Sequence, residues 1–473
     1  MPTPPTEPSI PDPSPPDWWE PLPPLRLVPR APADPARVAA GRLARFVSWN
    51  VLGTGTSLVL GFGASIVLAR LLGPSNRGVL GVMLSVGTLA LALTAGGLPV
   101  SVVYFAAKRP TAGRAILGNC LAHALVLGAV LVPLALLFSK QLGQAFAHGH
   151  GGPTWGLAAA IVPVTFLDWT THSQLQGQLQ FGRLNVLYVL QRVTYVVGVL
   201  ILLGVLSLGV SSALEATIAG SLVMIIGAAL PIMRTGRPRL DFALMREMLR
   251  YGGRAQVGSV LQITNGRFDV IVLGLMRPPA QVGYYVVAQT LAELVLQLAT
   301  TFQWSNMALV AQDESTGGSA STSAVAIRHL TLLAGVASLL NAGFGTLVIT
   351  FVYGSAFHPA VVPMLLLLPG VWLMSIALVA QADLGGRGRP GVASLLTGGS
   401  SMLTVALDLA LIPTFGVVGA AFASTVSYSA LGVASLVALR RVSGLPLRDL
   451  CVPRRSDLAV YTGFARRLVS GRR

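Results

Sequence analysis

Runs of about 18 or more mostly apolar residues return along the whole of this 473-residue chain, and no other feature limits the fold as strictly. Hydrocarbon offers the backbone no hydrogen bonds, so such runs are stable only as helices or as strands of a closed barrel. They are continuously apolar and lack the alternation of about ten-residue barrel strands, so helices are expected. With 53% hydrophobic and 11% charged residues and a mean hydropathy of +0.70, the chain reads as an all-α polytopic membrane protein. Gly and Ala within the runs let helices approach closely. About twelve spans fit, at residues 46–70, 79–106, 115–138, 155–173, 184–207, 213–233, 255–276, 281–309, 327–353, 359–383, 391–412 and 415–439.

The net charge of +16 comes almost wholly from Arg, with Lys only at Lys108 and Lys140. Its placement is periodic and follows the excess of positive charge in cytoplasmic loops, so it does not indicate nucleic acid. With both termini inside, 27 of the 33 Lys and Arg fall in cytoplasmic segments. Four, Arg70, Arg77, Lys140 and Arg277, fall outside, and Arg192 and Arg267 remain within spans. An odd number of spans worsens that ratio, so an even number is expected. Cys120 and Cys451 are too few and too differently placed for a disulfide framework.

The chain divides into a Pro-rich cytoplasmic tail (1–40), a six-helix half (41–233), a basic linker (234–254), a second six-helix half (255–440) and a basic cytoplasmic tail (441–473). Residues 1–36 hold 14 prolines and five acids, with Trp18 and Trp19 as the bulky aromatics, so they read as disordered. With no apolar stretch before residue 46, this segment does not read as a signal peptide. In the linker, Phe242, Met245, Met248 and Leu249 recur at helical spacing, which suggests an amphipathic helix on the inner surface.

The two halves echo each other. A shift of 205 residues places Ile66, Leu68, Pro74 and Gly78 on Ile271, Leu273, Pro279 and Gly283. A shift of 207 places Gly209-Val210, Ala213 and Ala216 on Gly416-Val417, Ala420 and Ala423. A parallel repeat of this kind is one way in which secondary transporters are built, with the substrate path between the halves.

Charge inside the bilayer costs at least ~2.5–3.5 kcal/mol per residue on insertion scales, so each residue that stays there needs a partner or a water-filled cavity. Arg192 and Arg267 are the clearest cases and would offer guanidinium forks to an anionic substrate. Asp168, at matching depth on the preceding span, could instead neutralise Arg192 as a structural pair or a gate. Asn265, Arg267 and Asp269 form a polar run in an apolar span. Residues two apart point to nearly opposite faces, while Asn265 and Asp269 share one. Glu293 and Asp408 are candidates for gating or ion coupling with Asp168 and Asp269, while Asp383, His172 and Gln381 lie near span ends within reach of water. Glu215 follows Ser212 at capping-box spacing. His148 and His150 have no further ligand types nearby, so no metal site is expected there. No large soluble loop carries a catalytic or phosphate-cradling motif, so the chain is expected to move or bind something and not to be an enzyme.

The segment Ala69-Arg70-Leu71-Leu72-Gly73-Pro74 with Arg77-Gly78, its counterpart at Pro279 and Gly283, Leu249-Arg250-Tyr251-Gly252, and Leu411-Ile412-Pro413 with Gly416 and Gly419-Ala420-Ala421 resemble the polysaccharide-biosynthesis, Wzx-like O-antigen flippases. These belong to the MOP exporter superfamily with MATE transporters and lipid II flippases. The resemblance covers about residues 40–440; the long tails depart from the pattern, and Asp408 stands where Asn is expected. It implies a V-shaped bundle of two parallel-repeat halves, in the bacterial inner membrane, that passes a polyprenyl-diphosphate-linked oligosaccharide to the outer leaflet by alternating access. Polysaccharide polymerase or glycosyltransferase partners go with that role, and the polar residues inside the spans, Arg192, Arg267 and Asn265, are the candidates for the diphosphate and glycan path on the ground of their depth in the bilayer. No cofactor beyond a coupling ion, H+ or Na+, is expected. A cation-exporting MATE-like transporter and a non-transporting membrane scaffold are the alternatives.

Overall fold

In the computed structural model, residues 35–147, 149, 152–206, 209–297, 299, 300, 303, 319–444 and 446–452 are described. The expected disordered segment at 1–34, His148 and His150, and most of the basic tail lie outside them. The compact body begins at Trp49. The described residues form helices and no strand: α1 (Pro35–Thr94), α2 (Leu98–Lys108), α3 (Gly113–Leu137), α4 (Ser139–Ala147), α5 (Thr154–Gly177), α6 (Phe181–Val199), α7 (Val210–Arg234), α8 (Phe242–Met276), α9 (Pro279–Ala292), α10 (Ser319–Leu347), α11 (Val361–Gly386), α12 (Pro390–Ser443) and α13 (Leu447–Cys451). α1 starts within the segment assigned to the tail. π-Helical turns, Leu200–Val205 and Val348–Tyr353, extend α6 and α10.

Seven described segments are long and apolar enough to cross a membrane by themselves. Two of them are double crossings: α1 turns at Gly73 (φ 70°, ψ 174°) and α12 at Gly416 (φ 57°, ψ −129°). Both φ values lie where a Cβ is penalised, so glycine makes the reversal possible. Gly209, the counterpart of Gly416 in the sequence repeat, has nearly the same conformation (φ 74°, ψ −144°) before α7. The more polar α5, α8 and α9 complete the expected order of spans. The second span is broken, because α1 ends at Thr94 and α2 resumes at Leu98 beyond Gly96 and Gly97, both at positive φ.

The repeat is also a contact. A Cβ on Gly78 would strike the backbone carbonyl of Pro279, and a Cβ on Gly283 would strike that of Pro74. The two copies of one motif therefore touch reciprocally, as a self-complementary pair does across a two-fold axis. Arg70 adds hydrogen bonds from Nε to Val352 O (2.5 Å) and from Nη2 to Phe351 O (2.8 Å). Leu68, Val79, Leu80 and Met83 from α1 join Leu273, Tyr285, Val287 and Ala288 in one buried cluster, so the first and second halves share a core here.

At the opposite, arginine-rich face, the linker differs from a helix lying alone on the membrane surface. It runs into the seventh span as one helix, α8, whose first turn is capped by Asp241 Oδ1 accepting from Leu244 N (2.9 Å). Asn119 fixes that cap, donating to Asp241 O (2.8 Å) and accepting from Asp241 N (3.0 Å). Leu244 and Met248 are buried among Leu98, Val102, Phe105 and Ile116 of α2 and α3. Ser101 Oγ donates to Met248 O (2.5 Å), Tyr104 stacks on Tyr251 at 4.4 Å, and Arg109 pairs with Glu247 at 2.8 Å.

Candidate functional site

Between the Gly78–Pro279 contact and the α2–α8 contact lies a cavity of about 460 Å³. Among the described residues three arginines line it, Arg77 from α1, Arg192 from α6 and Arg267 from α8, with Glu293 as the single acid, at the end of α9. Ser85, Thr88, Gln289 and Thr290 supply neutral hydrogen-bonding groups, and Phe62, Leu84 and Val286 supply apolar wall. The described lining carries three positive charges against one negative charge.

The arginines are not equivalent. Arg267 Nη1 stands 4.0 Å from Glu293 Oε1. Arg192 makes no hydrogen bond or ion pair among the described residues. Asp168, the partner considered for Arg192, is instead held by donors from Gln191 Nε2 (2.7 Å) and Ser221 Oγ (3.0 Å). The acid thus ties α5 to α6 and α7 and leaves the neighbouring guanidinium facing the cavity. A carboxylate with two donors is satisfied without a counter-ion in contact.

Arg77 is the residue that the sequence placed wrongly. Four residues past Gly73 it reads as part of an outer loop, but it lies one helical turn inside α1 and is buried to 7% exposure. Its Nη2 donates to Ser65 Oγ at 3.4 Å, and its Nε has no hydrogen-bond partner. The signal in the sequence is the helix start itself: Pro74 fixes the first turn, which puts Arg77 within the span.

Asn265 does not reach this cavity. Its side chain points the opposite way from Arg267, donating to Ser400 Oγ (3.4 Å) and accepting from Thr404 Oγ1 (2.6 Å) on α12. One turn further, on the same face of α8, Asp269 accepts from Tyr285 O–H (2.5 Å), Ser424 Oγ (3.1 Å) and Val270 N (2.7 Å). Asp408 lies one turn beyond Thr404 on α12, fully buried, and neither carboxylate oxygen has a hydrogen-bond partner among the described residues. It is within electrostatic range of Asp269. The described polar residues therefore form two groups on opposite faces of α8: arginines with Glu293, and carboxylates with neutral hydroxyls and an amide.

Other candidates serve the packing. Asp383 is fully buried, not wetted as its place near a span end suggested, and Oδ1 accepts from Arg387 Nε at 2.5 Å. His172 bonds Tyr188 O–H through Nδ1 at 2.6 Å, and Gln381 bonds Ser435 and Thr397. Glu215 does not form a capping box: α7 starts after Gly209, and Ser212 Oγ donates to Leu202 O.

Comparison with known proteins sets this arrangement in context. The family model described as "polysaccharide biosynthesis protein" matches residues 43–305. The probable low-salt glycan biosynthesis flippase Agl15 of Haloferax volcanii is 25% identical over 335 residues, covering 66% of this chain and 66% of that protein, just under two thirds of its length. Among solved structures, the lipid II flippase MurJ in an inward closed conformation is similar with a TM-score of 0.72 at 14% identity, over 85% of this chain and 89% of that one. An inward-facing multidrug resistance MATE family transporter of the MOP superfamily is similar with a TM-score of 0.69 at 16% identity, over 82% of this chain and 94% of that one. At such identities the structural likeness establishes the fold. Together with the helices long enough to cross a bilayer and a family match over more than half of the sequence, it shows that the chain is a multi-pass membrane protein of the polysaccharide biosynthesis protein family.

Proposed function

We propose that the protein is a flippase, not an enzyme, that moves an oligosaccharide linked through a diphosphate to a polyprenyl carrier from the cytoplasmic to the outer leaflet of the bacterial inner membrane. The observation that carries this reading is the cavity lined by Arg77, Arg192 and Arg267 with only Glu293 to offset them. Guanidinium keeps its charge at any physiological pH and matches phosphate oxygens in pairs, so the lining suits a diphosphate and opposes a cationic drug. The arginine excess orients the α2–α8 face and both termini toward the cytoplasm.

In this reading alternating access uses the two sets of contacts that bracket the cavity. Separation of α2 from α8 would open it to the cytoplasm, and separation at Gly78–Pro279 would open it outward. In this reading Asp408 couples transport to H+ or Na+, because a buried carboxylate with no donor is stable only when protonated or when it holds a cation, and Asp269, one layer across on α8, acts with it. On the outer face, the product would pass to polymerase or glycosyltransferase partners.

The test is made in cells whose only copy of the protein carries Arg77→Ala, Arg192→Ala or Arg267→Ala at normal expression. Lipid-linked glycan should accumulate on the inner leaflet while surface polysaccharide falls. Unchanged levels of both on deletion of the whole protein would refute the reading. Efflux of cationic compounds would then favour the exporter alternative.

A further inference from the structure

A second cavity, of about 630 Å³, lies on the other face of α8. It is walled mainly by α8, α11 and α12, with Val100 of α2 from the first half, and it reaches Arg254 and Gly391, near the starts of the seventh span and of α12 on the arginine-rich face. Among the described residues no carboxylate lines it; its polar wall includes Ser259, Gln262, Gln381, Ser394 and Thr397. Asn265 also lines it, eleven residues beyond Arg254, which is ~16 Å along the helix.

What stands behind Asn265 gives this cavity its meaning. Asn265 is bonded to Thr404 (2.6 Å), and one helical turn beyond that pair lie Asp269 on α8 and Asp408 on α12. The cavity, the Asn265–Thr404 bond and the carboxylates are thus three successive layers along the same two helices. Asp408 is fully buried and its two oxygens lack hydrogen-bond partners, so the innermost layer has an unfilled coordination need.

We propose that this cavity is the aqueous route by which a monovalent cation, H+ or Na+, passes between the cytoplasmic face and Asp408, with the Asn265–Thr404 pair as its barrier. The inference rests on the ion-coupling reading above and adds where the ion travels. The alternative route, through the substrate cavity, passes three guanidinium groups. This one meets hydroxyls and amides, which replace hydration oxygens, with Arg254 only at its rim. Separate routes on opposite faces of one helix would let cation and anionic substrate cross without meeting, while α8 senses both.

The test uses full-length protein in lipid nanodiscs, with Cys120→Ala and Cys451→Ala and a single new thiol, Ala393→Cys, on the cavity wall. After folding, the thiol is modified with a bulky, uncharged, membrane-impermeant maleimide. Exchange of bound radioactive sodium, and in sodium-free buffer proton uptake after a pH jump, are followed before and after modification. Modification should slow exchange by about tenfold or more with the amount bound at equilibrium unchanged. Asp408→Asn should abolish the uptake. A thiol that does not react, exchange as fast after modification as before, or a loss of equilibrium binding on modification would each overturn the route while leaving ion coupling in place. Wild-type protein that takes up neither ion, or an Asp408→Asn protein that takes up as much as wild type, would overturn the coupling reading, and the route with it.

Discussion

Arg267 and Glu293 face each other at 4.0 Å across the arginine-lined cavity, the one close opposite-charge pair in its lining among the described residues. The separation is at the limit of an ion pair, and both side chains are partly open to the cavity, so the attraction is loose. A charge brake by Glu293 on Arg267 is therefore expected to show in anion binding. Glu293→Gln should tighten binding of inorganic pyrophosphate to detergent-solubilised protein, and Arg267→Ala should weaken it by ~1.5–3 kcal/mol, the range for hydrogen bonds to a charged group. Calorimetric titration checks both, and equal effects of the same sign would contradict the brake.

Asp168 and Arg192 are neighbours without being partners, because Gln191 and Ser221 occupy the carboxylate. Asp168→Ala should destabilise the packing of α5 on α6 and α7 by ~1–3 kcal/mol, the cost of leaving buried donors unmet. Arg192→Ala should leave stability nearly unchanged while impairing transport. In a double-mutant cycle read by thermal unfolding, the coupling of the two should stay below ~1 kcal/mol. A larger value would restore the ion pair.

Tyr285 and Ser424 both donate to Asp269, whereas Asp408 accepts from nothing among the described residues. The two acids should therefore respond differently to mutation. Asp269→Ala should lower stability by ~1–3 kcal/mol, since the two buried hydroxyls lose their shared acceptor and, 3.2 Å apart, can make only one bond between them in its place. Asp408→Asn should keep or raise stability, because it removes a buried ionisable group from a site with no donor. Chemical or thermal denaturation in matched detergent distinguishes them, and loss of transport in a stably folded Asp408→Asn protein would separate function from folding.

The close approach at Gly78–Pro279 and Gly283–Pro74 predicts a conformational shift. Gly78→Ala and Gly283→Ala each place a methyl where a backbone carbonyl stands, so the outer ends must part. Both variants should raise the reactivity of thiols placed near Gln289 toward reagents added outside, by similar factors because the contact is reciprocal. Wild-type reactivity in both would show that the closure tolerates the methyl.

The order of spans was legible in the sequence because a bilayer selects on length and hydropathy, which are local properties. The turn at Gly416 fell inside the expected span 415–439, whereas the turn between the first two spans was legible too, since Gly73-Pro74 falls between 46–70 and 79–106, and the 205-residue repeat around it proved to be a physical contact. Side-chain partnership was less so. Residues two apart on α8 were correctly assigned to opposite faces, but which face met the arginines and which met α12 depends on neighbours more than 130 positions away. Arg77 escaped because a charge one turn from a span's end reads equally well as loop or cavity. Asp168 was offered Arg192 as a partner by depth alone, and Ser221, from a third helix, supplied one of the donors instead.

The sequence by itself therefore determined that this chain enters the bilayer as helices, the order in which they follow one another, and which residues are too polar to lie there without a reason. The tertiary structure decided what those reasons are. It brought three arginines from α1, α6 and α8 around one cavity and two acids from α8 and α12 into another layer. Helix formation is settled within a few turns by backbone hydrogen bonding, whereas the partner of a buried charge is settled by which helices pack together, and packing is a property of the whole bundle.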